Sequence, residues 1–196
     1  MTDKLRIFIG VPLPQSARRE LAALQQTLSA DRRSTPRGLR FVASEQLHLT
    51  LKFVGWLPDE RVEPFRELVR KAAADTEVVE TRLARVTGYP AARRARVLVA
   101  ELSDPDAGLA ALATRIDRAA ETLGVAPERR AFRPHVTLAR ASPPANVTPY
   151  QGVPLSDATF RLNELVLFRS QLLPTGSVYA RLCSGTFAPP TNSSLP

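Results

Sequence analysis

The sequence predicts an α+β fold built on mostly antiparallel sheets. Three observations lead there. Apolar residues alternate with period two in several short runs, they recur at helical spacing in three longer ones, and several strand pairs follow one another too closely for the helical crossover that parallel pairing needs. At 196 residues, 44% of them hydrophobic, the chain can bury its own core as one domain or two closely packed lobes.

Leu5 to Val11 reads as a buried strand; Pro12 and Pro14 close it, and no small-residue cleavage site follows to make it an export signal. Gln15 to Leu28 carries Leu21, Ala22, Leu24 and Leu28 at helical spacing. A basic loop from Asp31 to Gly38 leads into strands over Leu39 to Val42 and Leu47 to Val54, the second ending at Gly55. Pro58 marks the start of a helix reaching Ala74, with Pro64 inside it as a break or kink. Val78 to Val86 and Arg96 to Leu102 alternate as strands joined by Gly88 to Arg94. Asp104 and Pro105 open a helix that ends near Leu123, before Gly124, with Leu109, Leu112, Ile116 and Ala120 on its apolar face. Arg133 to Arg140 is a strand and Ser142 to Pro154 a proline-rich loop; Thr159 to Phe168 and Ser177 to Leu182 complete the sheet. Residues 1–187 are expected to form a single domain, and 188–196 a disordered tail. In each half a helix precedes a strand carrying His-x-Thr-Leu, which points to two similar lobes facing each other across a cleft.

No run is long enough to cross a bilayer, and a lone Cys183 cannot form an internal disulfide, so a soluble, cytoplasmic protein is expected. Nothing in the sequence calls for more than a monomer. The net charge of +8 and pI near 10.7 favour an anionic partner such as nucleic acid, because guanidinium groups fork onto phosphates. Arginine supplies 24 of the 27 basic residues, and a compositional bias toward arginine, alanine and proline accounts for that excess equally well.

The only two histidines stand in His48-Leu49-Thr50-Leu51 and His135-Val136-Thr137-Leu138. On a strand, residues i and i+2 share a face, so each histidine projects beside its threonine while Leu49, Leu51, Val136 and Leu138 anchor the strand in the core. Two such pairs suit a tetrahedral phosphate: hydroxyls donate to its non-bridging oxygens, and the imidazoles sit near the entering and leaving oxygens. With an ordinary pKa near 6.5, one ring can be neutral and the other protonated near pH 7, as acid–base catalysis requires.

These paired motifs resemble those of the 2H phosphoesterase superfamily, specifically the RNA 2',3'-cyclic phosphodiesterases, also called the 2'-5' RNA ligase-like group. The resemblance spans most of the chain. It runs from Arg6-Ile7-Phe8-Ile9 and Pro12-Leu13-Pro14 through Leu47-His48-Leu49-Thr50-Leu51-Lys52-Phe53-Val54-Gly55, then Phe132-Arg133-Pro134-His135-Val136-Thr137-Leu138-Ala139-Arg140, to Ser170-Gln171-Leu172-Leu173-Pro174-Thr175-Gly176-Ser177-Val178-Tyr179. Phe41 stands where relatives often carry tryptophan. The resemblance implies a bilobal fold of two mostly antiparallel sheets flanked by helices around a central cleft. It implies opening of 2',3'-cyclic phosphate ends of RNA, or of cyclic nucleotides, to 2'-phosphates. By the same analogy His48 is the proton donor, His135 the proton acceptor, and Thr50, Thr137 and Arg140 bind the substrate phosphate.

Two other readings stand beside this one: 2'-5' RNA ligation or 2'-5' phosphodiester cleavage on the same site, and a non-catalytic module that binds RNA ends or nucleotides. No metal and no cofactor are implied, since two histidines and one cysteine are too few for a zinc site and neither His-Glu-x-x-His nor a Cys-x-x-Cys pair occurs. A serine-hydrolase elbow and a nucleoside-triphosphatase loop are also missing. Phe8 and Phe41 are candidates for stacking a base, with core packing as the alternative; Lys52 and Arg133 are read as cleft or edge charges, and Tyr179 as a core or rim residue.

Overall fold

Apolar periodicity resolves into nine strands and three α-helices among the described residues of the structure, a computed structural model that describes residues 4–30, 35–173 and 176–190. In chain order these are β1 (Lys4–Pro12), α1 (Gln15–Ala30), β2 (Leu39–Phe41), β3 (His48–Pro58), α2 (Glu63–Ala74), β4 (Val79–Tyr89), β5 (Ala95–Leu102), α3 (Gly108–Thr122), β6 (His135–Ala145), β7 (Thr159–Leu162), β8 (Glu164–Leu173) and β9 (Gly176–Thr186). The strands form one sheet in the order β7-β4-β5-β6-β3-β1-β8-β9, with β2 on β6, and every ladder in it is antiparallel. The two sheets expected from the sequence are therefore joined. Their seam is a single paired position, Leu49 of β3 opposite Val136 of β6.

One face of the sheet is apolar and carries the helices. Ile7, Ile9 and Val11 of β1, Leu49 of β3 and Val136 and Leu138 of β6 are buried there against Leu21 of α1, Phe65 and Val69 of α2, and Leu109, Leu112 and Ile116 of α3. Each such side chain contributes about 1.5–3 kcal/mol by leaving water. The helices bind the halves together as well as covering them. α3, from the second half of the chain, packs on β3, while the buried Gln25 amide of α1 donates to the carbonyls of Val42 (2.8 Å) and Leu138 (2.9 Å) beside the second motif.

Several boundaries differ from the sequence reading. β3 continues to Pro58, and α2 begins at Glu63 with Pro64 in its first turn, where a missing N–H costs nothing. The third helix starts at Gly108 rather than Asp104, whose carboxylate caps it by accepting from the N–H groups of Leu109 (3.0 Å) and Ala110 (2.9 Å). β6 runs to Ala145, into the expected proline-rich loop, because Ala95 still pairs with Ala145 and the Ser142 N–H donates to Gly38. The strand expected over Thr159 to Phe168 divides at Asn163: β7 pairs with β4 and β8 with β1, so one stretch of chain serves both halves. The tail is held at Ala188, which donates to Thr76 and accepts from Val78. Residues 31–34 of the basic loop and 191–196 of the tail lie outside the described residues.

Lys52 sits on the core side of β3, only 1% exposed, with its ammonium 2.5 Å from Asp117 of α3, 2.7 Å from the Ala126 carbonyl and 3.7 Å from Glu128. A buried charge that loses its partner is costly. Asp117→Ala should therefore lower unfolding stability by about 3 kcal/mol, measured by urea denaturation, and Lys52→Met in the same chain should recover most of the loss. An Asp117→Ala protein as stable as wild type would show that the pair does not hold α3 on the sheet.

Candidate active site

The seam sets the geometry of both motifs. Because Leu49 and Val136 are directly opposed on antiparallel strands, His48 lies across from Thr137 and Thr50 across from His135, all four on the face opposite the core. They line one cleft of about 910 Å³, and Arg140 lines it too. All five residues singled out in the sequence thus meet in one place.

Both histidines are fixed by the same device. Nδ1 of His48 lies 2.7 Å from the Gln46 carbonyl, and Nδ1 of His135 lies 2.7 Å from the Arg133 carbonyl, in each case two residues back along the chain. A carbonyl only accepts, so Nδ1 carries the proton in each ring and Nε2 is the atom left for chemistry. The Thr50 hydroxyl lies 3.0 Å from His48 Nε2 and donates to it when the ring is neutral.

The surroundings of the two rings differ. His48 is enclosed by aromatic side chains: Phe8 at 4.9 Å between ring centroids, Phe168 at 5.8 Å and Tyr179 edge-on at 5.0 Å. Gly10 leaves room beside it, since a Cβ there would meet the Leu49 carbonyl oxygen at 2.7 Å and the His48 ring at 3.5 Å. Loss of water around the ring lowers the His48 pKa below 6.5; the Gln46 carbonyl pulls the other way, and the charges of Arg140 and His135 add to the lowering. His135 instead meets the edge of Tyr89 at 5.2 Å. The Tyr89 phenol donates to Glu101, which pairs with His135 in the β5–β6 ladder and also accepts from Arg85 Nε at 2.5 Å. Burial, and then Glu101, push the Tyr89 phenol up to about 12, so it stays protonated; a hydrogen bond from Arg133 acts in the opposite sense. Burial pushes Glu101 up, but the hydrogen bonds from Arg85 and Tyr89 outweigh it and hold the carboxyl below its ordinary value.

A register slip recurs in both motifs. β1 pairs Gly10 with Thr50 and then Ile9 with Lys52, leaving Leu51 as an extra residue; β5 pairs Val99 with Thr137 and then Leu98 with Ala139, leaving Leu138 extra. Each slip turns the next residue toward the core and the one after it toward the cleft. Lys52 and Ala139 are therefore buried, while Phe53 and Arg140 line the cleft. Strict alternation would place Lys52 on the cleft face, which is why its cleft reading fails. Arg133 and Tyr179 do line the cleft. Phe8 is 2% exposed beneath His48 and has no face free for a base; Phe41 packs at the margin of the core. Tyr89, Glu101 and Phe53 were not singled out in the sequence. Glu101 is revealed by its pairing with His135, Tyr89 by its hydrogen bond to Glu101, and Phe53 by the slip at Leu51, none of which a local pattern announces.

Among the described residues no three His, Cys, Asp or Glu side chains come together to hold a metal ion. A family model described as the 2'-5' RNA ligase superfamily matches residues 12–172. An RNA 2',3'-cyclic phosphodiesterase of Thermus thermophilus is 32% identical, over 91% of this chain and 88% of that protein. One from Methanothermobacter thermautotrophicus is 28% identical over 90% of this chain and 95% of its own length. In structure the chain is similar to a Thermus thermophilus protein solved by crystallography, with a TM-score of 0.82 and 28% identity over 95% of this chain and all of that one. It also matches Escherichia coli LigT complexed with 3'-AMP, with a TM-score of 0.78 and 22% identity over 95% and 99% of the two chains.

With only two histidines in the sequence, their ring nitrogens can be followed separately by NMR. Neutral His48 should be the Nδ1–H tautomer and should titrate below 6.5, and Phe168→Ala, by admitting water, should raise its pKa toward that value. An Nε2–H tautomer, or a His48 pKa above 6.5, would contradict this account of the site.

Proposed function

The chain belongs to the 2'-5' RNA ligase superfamily, and from that premise we propose that it is an RNA 2',3'-cyclic phosphodiesterase, opening 2',3'-cyclic phosphate ends to 2'-phosphates by two-histidine acid–base catalysis without a metal ion. The observation that carries the reading is the crossed pair of motifs: two imidazoles, each with Nδ1 tied to a carbonyl and Nε2 left over, share one cleft with two hydroxyls and a guanidinium. The curated relatives named above bear the same activity in their names.

In this proposal His135 Nε2 takes a proton from water as the water oxygen bonds to phosphorus. The bond from phosphorus to O3' breaks, and His48 Nε2–H gives its proton to O3'. The products are a 2'-phosphate and a 3'-hydroxyl. Thr50 and Thr137 donate to the non-bridging oxygens, and Arg140 offsets their negative charge. The lowered pKa of His48 makes its protonated ring a stronger acid, and a bound phosphate anion favours that protonated form. The same geometry with a ribose 5'-hydroxyl in place of water would form a 2'-5' linkage, the reaction in the superfamily's description. We place the protein in the cytoplasm as a monomer, in keeping with its unpaired Cys183.

Hydrolysis of a 2',3'-cyclic nucleotide in excess EDTA, with the phosphate position read by NMR, tests the class, the regiochemistry and the metal requirement together. Activity should persist, and loss under chelation restored by added metal would overturn the mechanism. His48→Ala and His135→Ala should each lower kcat by roughly 10²-fold or more. A substrate with sulfur in place of the bridging O3' separates the roles, because a thiolate leaves without a proton: it should rescue His48→Ala and not His135→Ala, and the reverse pattern would exchange the assignments.

The pH profile of kcat/KM should be a bell belonging to the coupled pair. One limb should lie below pH 6.5, where the depressed His48 titrates, and should move up in Phe168→Ala. A rate that does not change with pH across this range, with chemistry limiting, would contradict two-histidine catalysis.

A further inference from the structure

We propose that Trp56, with Lys4 and Arg6, forms a landing site for the single-stranded RNA that precedes the cyclic end, so that the enzyme grips the nucleotide 5' to the one it opens. This rests on the RNA reading of the cleft and extends it beyond the reacting phosphate.

In the β1–β3 ladder Trp56 lies opposite Arg6 and Lys4 opposite Pro58, and in the same ladder Gly10 lies opposite Thr50 and Phe8 opposite Phe53. Directly opposed residues share a face. Lys4, Arg6, Phe8 and Gly10 alternate along β1 on the face away from the core, so Trp56 stands on the same face as Thr50 and Phe53, farther out along β3. Phe53, which lines the cleft, is 54% exposed, and Trp56 is 60% exposed. Rings run from His48 through Phe8 to Phe53, and the indole stands farther along the same face.

Gly55 sits between them with φ +94, and a Cβ there would meet nothing within 4 Å. The glycine is needed for its backbone conformation and not for space, and it carries β3 through the slip after Phe53 that keeps Trp56 on this face. The neighbouring cations suit a phosphate backbone. The Arg6 guanidinium is steadied by donating to Ser170 Oγ at 3.1 Å, and among the described residues neither Arg6 nor Lys4 forms an ion pair with a carboxylate. An exposed aromatic on the same sheet face as the two-histidine cleft, beside two cations that form no ion pair among the described residues, is the composition of a single-strand stacking platform.

Trp56 is the only tryptophan, so its fluorescence reports on this face alone. A tetranucleotide ending in a 2'-phosphate, which is a product and is not consumed, should quench the emission and do so less as salt rises; a mononucleoside 2'-phosphate should not quench it. In turnover, Trp56→Ala should raise KM roughly tenfold or more for a tetranucleotide 2',3'-cyclic phosphate and leave kcat/KM for the mononucleotide unchanged. Arg6→Ala should weaken the tetranucleotide and flatten its salt dependence. Equal behaviour of the long and short ligands would overturn the platform while leaving the hydrolase standing. An emission change that follows protein concentration and not RNA would give the face to a second copy of the chain and also overturn it. If wild-type protein hydrolyses neither substrate, it is the reading of the cleft that fails.

Discussion

One paired position, Leu49 opposite Val136, decides where everything in the cleft can be. It is the sole direct pairing between β3 and β6; beyond it β3 pairs with β1 and β6 with β5. Side chains on a strand alternate faces, so a register shifted by one residue would set Leu49 against His135 or Thr137 and send core groups to the cleft. The helices guard that register. Gln25 of α1 donates to a β6 carbonyl within the second motif, and Asp117 of α3 holds the ammonium of Lys52, two residues beyond Thr50. Core packing, helix docking and site geometry are thus one constraint seen at three scales.

The two motifs are alike in backbone and unlike in surroundings. Both Nδ1 atoms are tied to a carbonyl two residues back, which gives the same tautomer and presents Nε2 in both halves. Around His48 the protein then packs rings, and loss of water favours the neutral form. Around His135 it sets a phenol and a carboxylate held by arginine. A symmetric scaffold carrying asymmetric neighbours is a direct way to give two identical residues different proton affinities, which an acid and a base sharing one substrate need.

Much of this was legible in the sequence. The strands bearing the histidines, the helical faces and the convergence of His48, Thr50, His135 and Thr137 follow from periodicity and from one repeated motif, whereas Arg140 came from the family resemblance, since strict alternation would turn it away from the cleft. What could not be read was non-local. Whether two sheets stay separate depends on pairing between residues 87 positions apart in sequence, Leu49 and Val136. Asp104 looks like a helix start because it caps one from outside, and Ser142 to Ala145 looks like a loop because prolines rarely extend a strand, although Ala95 still pairs with Ala145. Tyr89 and Glu101 gain meaning only from the neighbouring strand.

The slips at Leu51 and Leu138 show how a repeated motif can carry more than its own letters. In each half the leucine of His-x-Thr-Leu is the extra residue, so the face presented to the cleft changes parity just after the threonine. The position five residues after each histidine then joins the cleft, where simple alternation would bury it. One half puts Phe53 there and the other Arg140. Because the slips are equivalent, the choice between an aromatic ring and a guanidinium is made by side-chain identity alone, on matched backbones. The cleft acquires an apolar side and a cationic side flanking the same pair of imidazoles, and these match the two faces of a nucleotide, its base and its phosphate. The side chains that the matched slips bring into the cleft, Phe53 and Arg140, therefore give a nearly symmetric site a direction.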